Sequence, residues 1–420
     1  MGLNDVVSAE RLHIGFFGLR NAGKSSVVNA VTGQALSLVS EVKGTTTDPV
    51  QKAMELLPLG PVVIIDTPGI DDSGELGAMR VKRAVQVLTK TDIAVLVVDA
   101  TEGKKNLDEK LISEFRKREI PYLVVYNKSD LLNQIPREKG ALSDIQGSSD
   151  STGESCIYVS ALNGDHIYEL KERIGQIAGN YKNEKSLAGD LLKPDDLVIL
   201  VTPIDESAPK GRMILPQQQM IREVLDHNGI NLVVQDTELE AALNALRNPP
   251  RMVITDSQAF GKVSRIVPED ILLTSFSILF ARYKGELYEF VKGAARLDRL
   301  QDGDRILISE GCTHHRQCND IGTVKLPGWI RNYTGKDLQF DFSSGAEFTE
   351  EIEKYALIVH CGACMLNEKE VRSRIRSAAE RDVPITNYGI AIAMIHGILQ
   401  RALSPFPELA EMLIQSTDIS

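Results

Sequence analysis

Short apolar runs alternate with amphipathic stretches from the first residues onward: HIGFFG, KSSVVNAVTG, VVIID, GAMRVKRAVQVL, IAVLVVDA, LDEKLISEFRKR, YLVVYNKSD, CIYVSAL and IYELKERIGQIAG. β-Branched runs separated by segments of helical period predict a mostly parallel sheet covered on both faces. The first segment therefore reads as a doubly wound α/β domain ending near Gly179. A polar connector, NYKNEKSLAGD, leads to a second alternating unit. There LVILVTPI, QQQMIREVLDHNG, LVVQDT, ELEAALNAL and MVITDS read as strand, helix, strand, helix, strand, with no constellation of catalytic side chains. From Ile271 the pattern resumes with LLTSFSILF, a helix through GELYEFVKGAARLDRL, the strand DRILIS, a loop-rich middle, the strand YALIVH and two helices. The last, TNYGIAIAMIHGILQRAL, is apolar around most of its circumference, which predicts a buried helix. SSDSTGES reads as a short flexible loop. The expected fold is α/β throughout, with domains at 1–180, 190–268 and 271–420.

Bulk properties change this picture little. At 420 residues the chain exceeds what one core supports, in keeping with about three domains. With 43% hydrophobic and 25% charged residues it has apolar material for several cores. The net charge of -11 disfavours non-specific binding of nucleic acid, and no nucleic-acid partner is expected. The N-terminus lacks the basic and apolar regions of a secretory signal, and Val6 breaks the myristoylation pattern after Gly2. No apolar stretch reaches bilayer length, so the expected location is the cytoplasm, without a membrane partner. In a reducing compartment, five cysteines point to metal or redox chemistry rather than disulfides.

GLRNAGKS, from Gly18 to Ser25, fits G-x-x-x-x-G-K-[ST] where a strand gives way to a helix. Its glycines let backbone N–H groups close on phosphates, Lys24 supplies a point charge, and Ser25 can bind Mg2+. Asn21, Ala22, Gly23 and Ser26 belong to the same phosphate cradle. GTTTD, DTPG, NKSD and SAL follow in order. Thr45 or Thr46 can complete the Mg2+ shell, Asp66 can hold the metal through water, and the Gly69 amide can meet a γ-phosphate. Asn127, Lys128 and Asp130 form N-K-x-D, whose carboxylate accepts two N–H bonds that guanine offers and adenine does not; Ser160 and Ala161 complete the base pocket. The expected ligands are GTP, GDP and Mg2+, with Lys24, Thr46, Asp66 and Gly69 as the groups acting on the γ-phosphate.

These residues resemble the translation-factor-class GTPases of the Era, Der and MnmE group. Ile70 stands where Ras-like enzymes carry a water-orienting Gln, and Asn21 lies where potassium-activated members place a K+ ligand. The resemblance implies slow intrinsic GTP hydrolysis raised by K+ or by a partner. Asp71, Asp72 and Glu75 read as solvated switch-loop charges.

The remaining chemistry lies in ISEGCTHHRQCND and ALIVHCGACMLN. Cys312 and His314 form C-x-H after one strand, and His360, Cys361 and Cys364 form H-C-x-x-C after another. Roughly 45 residues separate the half-sites, too many for a C2H2 finger but suited to two loops at one sheet edge. Covalent haem is excluded because no His follows CGAC. A tetrahedral zinc site and a 4Fe-4S cluster on three thiolates both fit the spacing. Cys318 and His315 read as bystanders, and Cys156 and His396 as core residues.

Taken together, such a GTPase, a plain α/β middle unit, and C-x-H followed by H-C-x-x-C resemble the FeFe-hydrogenase maturation GTPases over essentially the whole chain. The resemblance implies that Cys312, Cys361 and Cys364 ligate a 4Fe-4S cluster, with His314 and His360 close by to ligate or tune it. As a carboxylate, a poor soft-metal ligand, Glu408 is a further candidate for a weak fourth place, though it reads first as a helix-start glutamate after Pro407. It also implies a homodimer through the middle domain. The role would be that of a carrier, receiving a diiron precursor from radical-SAM maturases and delivering it to the apo-hydrogenase. The rival is a GTPase of RNA modification or ribosome assembly with a structural zinc module, against which the acidic charge counts.

Overall fold

The computed structural model describes residues 11–33, 50–57, 59–69, 83–132, 155–181, 186–203, 213–311, 321–345, 348, 351–363 and 366–417. The chain divides into two compact units, Met1–Asn183 and Glu184–Ser420. Among the described residues no helix is long and apolar enough to cross a membrane.

The first unit runs β1 (Leu12–Gly18), α1 (Lys24–Thr32), β2 (Val50–Leu56), β3 (Gly60–Asp66), a helical stretch at 83–88, β4 (Ile93–Asp99), α2 (Asn106–Lys117), β5 (Tyr122–Asn127), β6 (Cys156–Tyr158) and α3 (Ile167–Tyr181). The sheet order is β2-β3-β1-β4-β5-β6. The apolar runs are continuous because both faces are covered, and the two-residue period of a strand divides them. Val62, Ile64, Ile93, Val95 and Val97 join α1 and α3 in one core. Val63, Ile65, Ala94, Leu96 and Val98 join α2 and the 83–88 helix in the other. Sequence reading missed β2, which is antiparallel to β3 and mostly exposed along VQKAMEL. An edge strand with one solvated face carries little apolar signal.

The second unit holds two sheets. β7 (Leu197–Val201), α4 (Leu215–Asp226), β8 (Ile230–Val234), α5 (Leu239–Ala245), β9 (Met252–Thr255), α6 (Phe260–Ile266) and β10 (Leu272–Ser275) form a parallel sheet ordered β10-β9-β7-β8. The expected boundary at 268–271 is therefore corrected: Leu272–Ser275 hydrogen-bonds beside Met252–Thr255 and completes the middle sheet. α7 (Phe276–Lys284) follows directly, its first turn capped by Ser275, whose hydroxyl accepts from the Ile278 amide at 3.3 Å.

Beyond Gly285 come α8 (Leu287–Ala294), β11 (Arg305–Glu310), α9 (Leu326–Thr334), β12 (Gln339–Ser344), β13 (Leu357–His360), α10 (Glu368–Ala379), β14 (Ile385–Asn387), α11 (Tyr388–Ile395), α12 (Leu399–Ala402) and α13 (Pro407–Thr417). The second sheet is parallel, ordered β12-β11-β13-β14. The chain leaves β11 for β12 on one side and returns to β13 on the other, so the direction of winding reverses between β11 and β13. The stretch read as loop-rich contains α9 and β12, the latter an edge strand of mixed polarity. The single last helix expected from TNYGIAIAMIHGILQRAL is instead a strand and two helices. α11 is buried from Gly389 to Met394, and Gly397, at φ 68, breaks it from α12. Most of SSDSTGES lies outside the described residues.

Candidate functional site

Two chemically distinct sites occupy the two units. In the first, β1 ends at Gly18, whose φ of 155 brings the backbone so near β4 that an added Cβ would lie 2.4 Å from the Val97 carbonyl oxygen. Gly23 has φ 81, and a Cβ there would lie 2.3 Å from Asn127 Nδ2. The loop between them, including the exposed Asn21 at φ 68, turns its chain into α1, which begins at Lys24. Amides at a helix start are open donors for an anion.

Lys24 is buried, and its ammonium bonds to the Asp66 carboxylate at the end of β3. Ser25 Oγ lies 3.4 Å from the other Asp66 oxygen. Burial pushes the Lys24 amine down to about 7. An anion beside the amine would favour its charged form. Thr67 Oγ1 donates to the Phe16 carbonyl at 2.7 Å, tying the DTPG segment to β1. At Gly69 an added Cβ would approach Arg20 Cα to 3.1 Å, so this backbone runs directly against the phosphate loop.

The residues expected to bind the base form one network. Asn127 Nδ2 donates to the Ala22 carbonyl at 3.1 Å, while its Oδ1 accepts from the Ala161 amide at 3.1 Å. Asn127 thus bridges NKSD, the phosphate loop and SAL. The buried Ser160 hydroxyl donates to Asp130 Oδ1 at 2.6 Å, orienting an exposed carboxylate toward its task. Lys128, left-handed at φ 65, pairs with Asp99 Oδ2 at 2.5 Å. Asp99 escaped the sequence reading. Burial raises its carboxyl, but bonds from Lys128 and Thr101 outweigh that and hold it below the usual range. The available signal was an Asp ending the strand IAVLVVD in register with Asn127. Ser26 is exposed on α1. Thr45, Thr46, Ile70, Asp71, Asp72 and Glu75 lie outside the described residues.

The second site lies at the carboxyl ends of β11 and β13, the crevice where winding reverses and where open α/β sheets place ligands. Ser309 pairs with His360 in register, the Cys361 amide donates to the Ser309 carbonyl at 2.9 Å, and the Gly311 amide donates to Cys361 Sγ at 3.0 Å. Gly311, which directly precedes Cys312 in the sequence, and Cys361 thus lie at neighbouring strand ends. Cys312, His314, His315, Cys318 and Cys364 lie outside the described residues.

His360, a candidate labile ligand, is held by two neighbours. Its side chain is buried, with Nε2 3.0 Å from Arg374 Nη1 and Nδ1 2.8 Å from the Cys361 carbonyl oxygen. A guanidinium only donates, so Nε2 accepts, and Nδ1 carries the proton it gives to the carbonyl. Both ring nitrogens are committed. Arg374 is itself buried, donating to Gly345 O at 2.8 Å and to Glu370 Oε1 at 3.2 Å, with the Phe348 ring 5.4 Å away. Turning His360 to a metal would take one acceptor from a buried Arg374 N–H, at a cost of about 1–3 kcal/mol, while Glu370 and the Gly345 carbonyl keep the guanidinium paired. Neither Arg374 nor Glu370 was legible as part of a site.

Glu408 stands exposed in the first turn of α13, where a carboxylate complements the helix dipole without any metal. Among the described residues no three His, Cys, Asp or Glu side chains are gathered closely enough to hold a metal, so Cys361, His360 and Glu408 do not form a set by themselves. Cys156 is core, as expected. His396 is not: it is exposed at the end of α11, its ring edge-on to Trp329 at 6.0 Å.

Comparison with known proteins follows the same division. Residues 13–128 match the family of 50S ribosome-binding GTPases. Residues 187–285 match the hydrogen maturase F dimerization domain, and residues 288–405 the hydrogen maturase F tetramerization domain. The GTPase Der of Kosmotoga olearia is 35% identical over 175 residues, 40% of this chain and 39% of that protein. The tRNA modification GTPase MnmE of Nitrosomonas europaea is 29% identical over 171 residues, 40% of this chain and 35% of that protein. The chain thus spans less than half the length of these curated relatives. Among solved structures, a probable GTP-binding protein engB aligns with TM-score 0.31 and 24% identity over 40% of this chain and 99% of its own.

Proposed function

The chain belongs to the hydrogen maturase F family, its GTPase domain followed by that family's dimerization and tetramerization domains, and we propose that it is a GTP-hydrolysing scaffold and carrier in FeFe-hydrogenase maturation. On this reading Cys312, Cys361 and Cys364 hold a 4Fe-4S cluster. The protein accepts a diiron precursor from radical-SAM maturases and transfers it, in the cytoplasm, to the apo-hydrogenase. The observation that carries the proposal is the Gly311 amide on Cys361 Sγ at 3.0 Å, at adjacent strand ends of the switch point. Sulfur that accepts a backbone N–H at a strand end suits an anionic thiolate ligand. Three thiolates leave one iron with a replaceable partner, which is the chemistry a carrier needs. His314, His360 and Glu408 are the candidates for that place.

At the nucleotide, loop amides and Lys24 bind the phosphates, Ser25 and Thr46 hold Mg2+, and Asp66 supports it through water. Asn127, Lys128, Asp130, Ser160 and Ala161 hold guanine. Gly69 meets the γ-phosphate, so order in its segment reports whether GTP or GDP is bound, a two-state element that partners can read. Asn21 offers a K+ ligand, and hydrolysis in K+ is expected to exceed that in Na+ several-fold by steady-state phosphate release; equal rates remove the cation from the mechanism.

The domain boundary is placed at Gly285, between α7 and α8, and a homodimer through the dimerization domain is supported by the exposed edge strand β8. Its Ile230 is 51% and Val233 41% exposed beside a row of unpaired backbone groups. Val233→Lys is expected to lower the mass seen by light scattering; an unchanged mass moves the contact elsewhere. The carrier reading itself is tested by anaerobic purification, with iron, sulfide and zinc analysis and EPR after reduction. Iron and sulfide near four per chain support it, and stoichiometric zinc without iron favours an RNA-modification or ribosome-assembly GTPase instead.

A further inference from the structure

A buried ammonium lies beneath the cysteine loop and has no part in the nucleotide site. Lys284 ends α7, where a lysine is ordinarily a solvated residue favoured by the helix dipole. Here it is only 3% exposed. Its Nζ donates to the Ala363 carbonyl at 3.1 Å and the Leu366 carbonyl at 3.0 Å, with the Phe280 ring centroid 5.9 Å away. Burying an ammonium costs several kcal/mol unless its N–H groups are met, so these bonds are a condition of the fold here.

The two acceptors bracket Cys364 in the chain. Ala363 is left-handed at φ 54, a conformation that costs a non-glycine residue about 1 kcal/mol and persists only where its surroundings enforce it. Leu366 in turn packs against Gly311 so closely that an added Cβ there would lie 2.6 Å from Leu366 Cδ1. Gly311 then donates its amide to Cys361 Sγ. A continuous run of contacts joins Lys284 through Leu366 and Gly311 to Cys361. The helix that supplies Lys284 lies in the dimerization segment, whereas the loop lies in the tetramerization segment.

We propose that Lys284 is a positioning residue for the cluster: its ammonium fixes the Ala363 and Leu366 carbonyls, and with them the backbone that follows Cys361, and keeps a buried positive charge within a few residues of that thiol. The inference rests on the cluster reading above. It makes cluster retention depend on the dimerization segment, because the last residue of that segment's helix fastens the loop.

The test uses full-length protein reconstituted anaerobically with iron and sulfide. Lys284→Met, which keeps the apolar stem and removes charge and donors, is expected to lose iron to a chelator about tenfold faster, the worth of a charged hydrogen bond. Its midpoint potential is expected to become more negative, because removing a nearby cation disfavours the reduced, more anionic cluster. Lys284→Arg is expected to restore part of both. Should the Met variant lack the melting transition of the second unit, Lys284→Gln decides, since it keeps a donor without the charge. A folded variant, Met or else Gln, with wild-type potential and wild-type iron loss overturns this inference alone. Wild-type protein that takes up no iron overturns the cluster reading and the inference with it.

Discussion

Asp130→Asn is expected to lower GTP affinity by about two to three orders of magnitude, as the loss of two charge-assisted bonds to guanine requires. The carboxylate accepts from both N–H groups on the guanine edge, and an amide can accept one but presents its own N–H to the other. Xanthine carries a carbonyl where guanine carries the amino group, so the same substitution is expected to favour XTP. Ser160 Oγ still finds an acceptor in the amide oxygen, as it does at 2.6 Å in Asp130, and the loop geometry should survive. Competition binding with a fluorescent nucleotide measures both effects. A D130N variant that still prefers GTP over XTP would place the base elsewhere.

Cys361→Ala is expected to abolish the cluster while leaving GTP hydrolysis within about twofold of wild type, as substitutions with no shared partners do. The thiol is the one described cysteine at the switch-point crevice, facing the Gly311 amide. It belongs to the second compact unit, and the nucleotide residues belong to the first. Iron content by chemical analysis and phosphate release by coupled assay read the two functions separately. If hydrolysis collapsed along with iron, the units would be coupled far more tightly than their separate cores require. Retention of iron would remove Cys361 from the ligand set.

The two sites differ in how much of each is legible along the chain. The nucleotide site was legible because each of its parts is local: Gly18, Gly23 and Lys24 sit within one turn, and Asn127, Lys128 and Asp130 within another. What escaped was Asp99, whose partnership with Lys128 depends on β4 pairing with β5 in register. At the cysteine site, spacing indicated two half-sites but suggested His360 as a ligand, because a histidine beside a cysteine looks available. Arg374, fourteen positions onward in α10, takes one of its nitrogens, and the Cys361 carbonyl takes the other. Lys284 looked like a helix-end surface charge. Only the packing of α7 beneath the loop shows it buried.

The sequence by itself determined the α/β class, the phosphate-loop and N-K-x-D motifs and the cysteine spacing, because periodicity and short motifs are properties of neighbouring residues. Tertiary structure alone decided that β10 completes the middle sheet and that β2 and β12 form edges. It also decided that Cys361 stands where the winding reverses, against the Gly311 amide, and that two buried cations support its neighbours. Those facts depend on registers and contacts between residues far apart in the chain. Burial, and not residue type, turned Lys284 and Arg374 from surface charges into supports of the site.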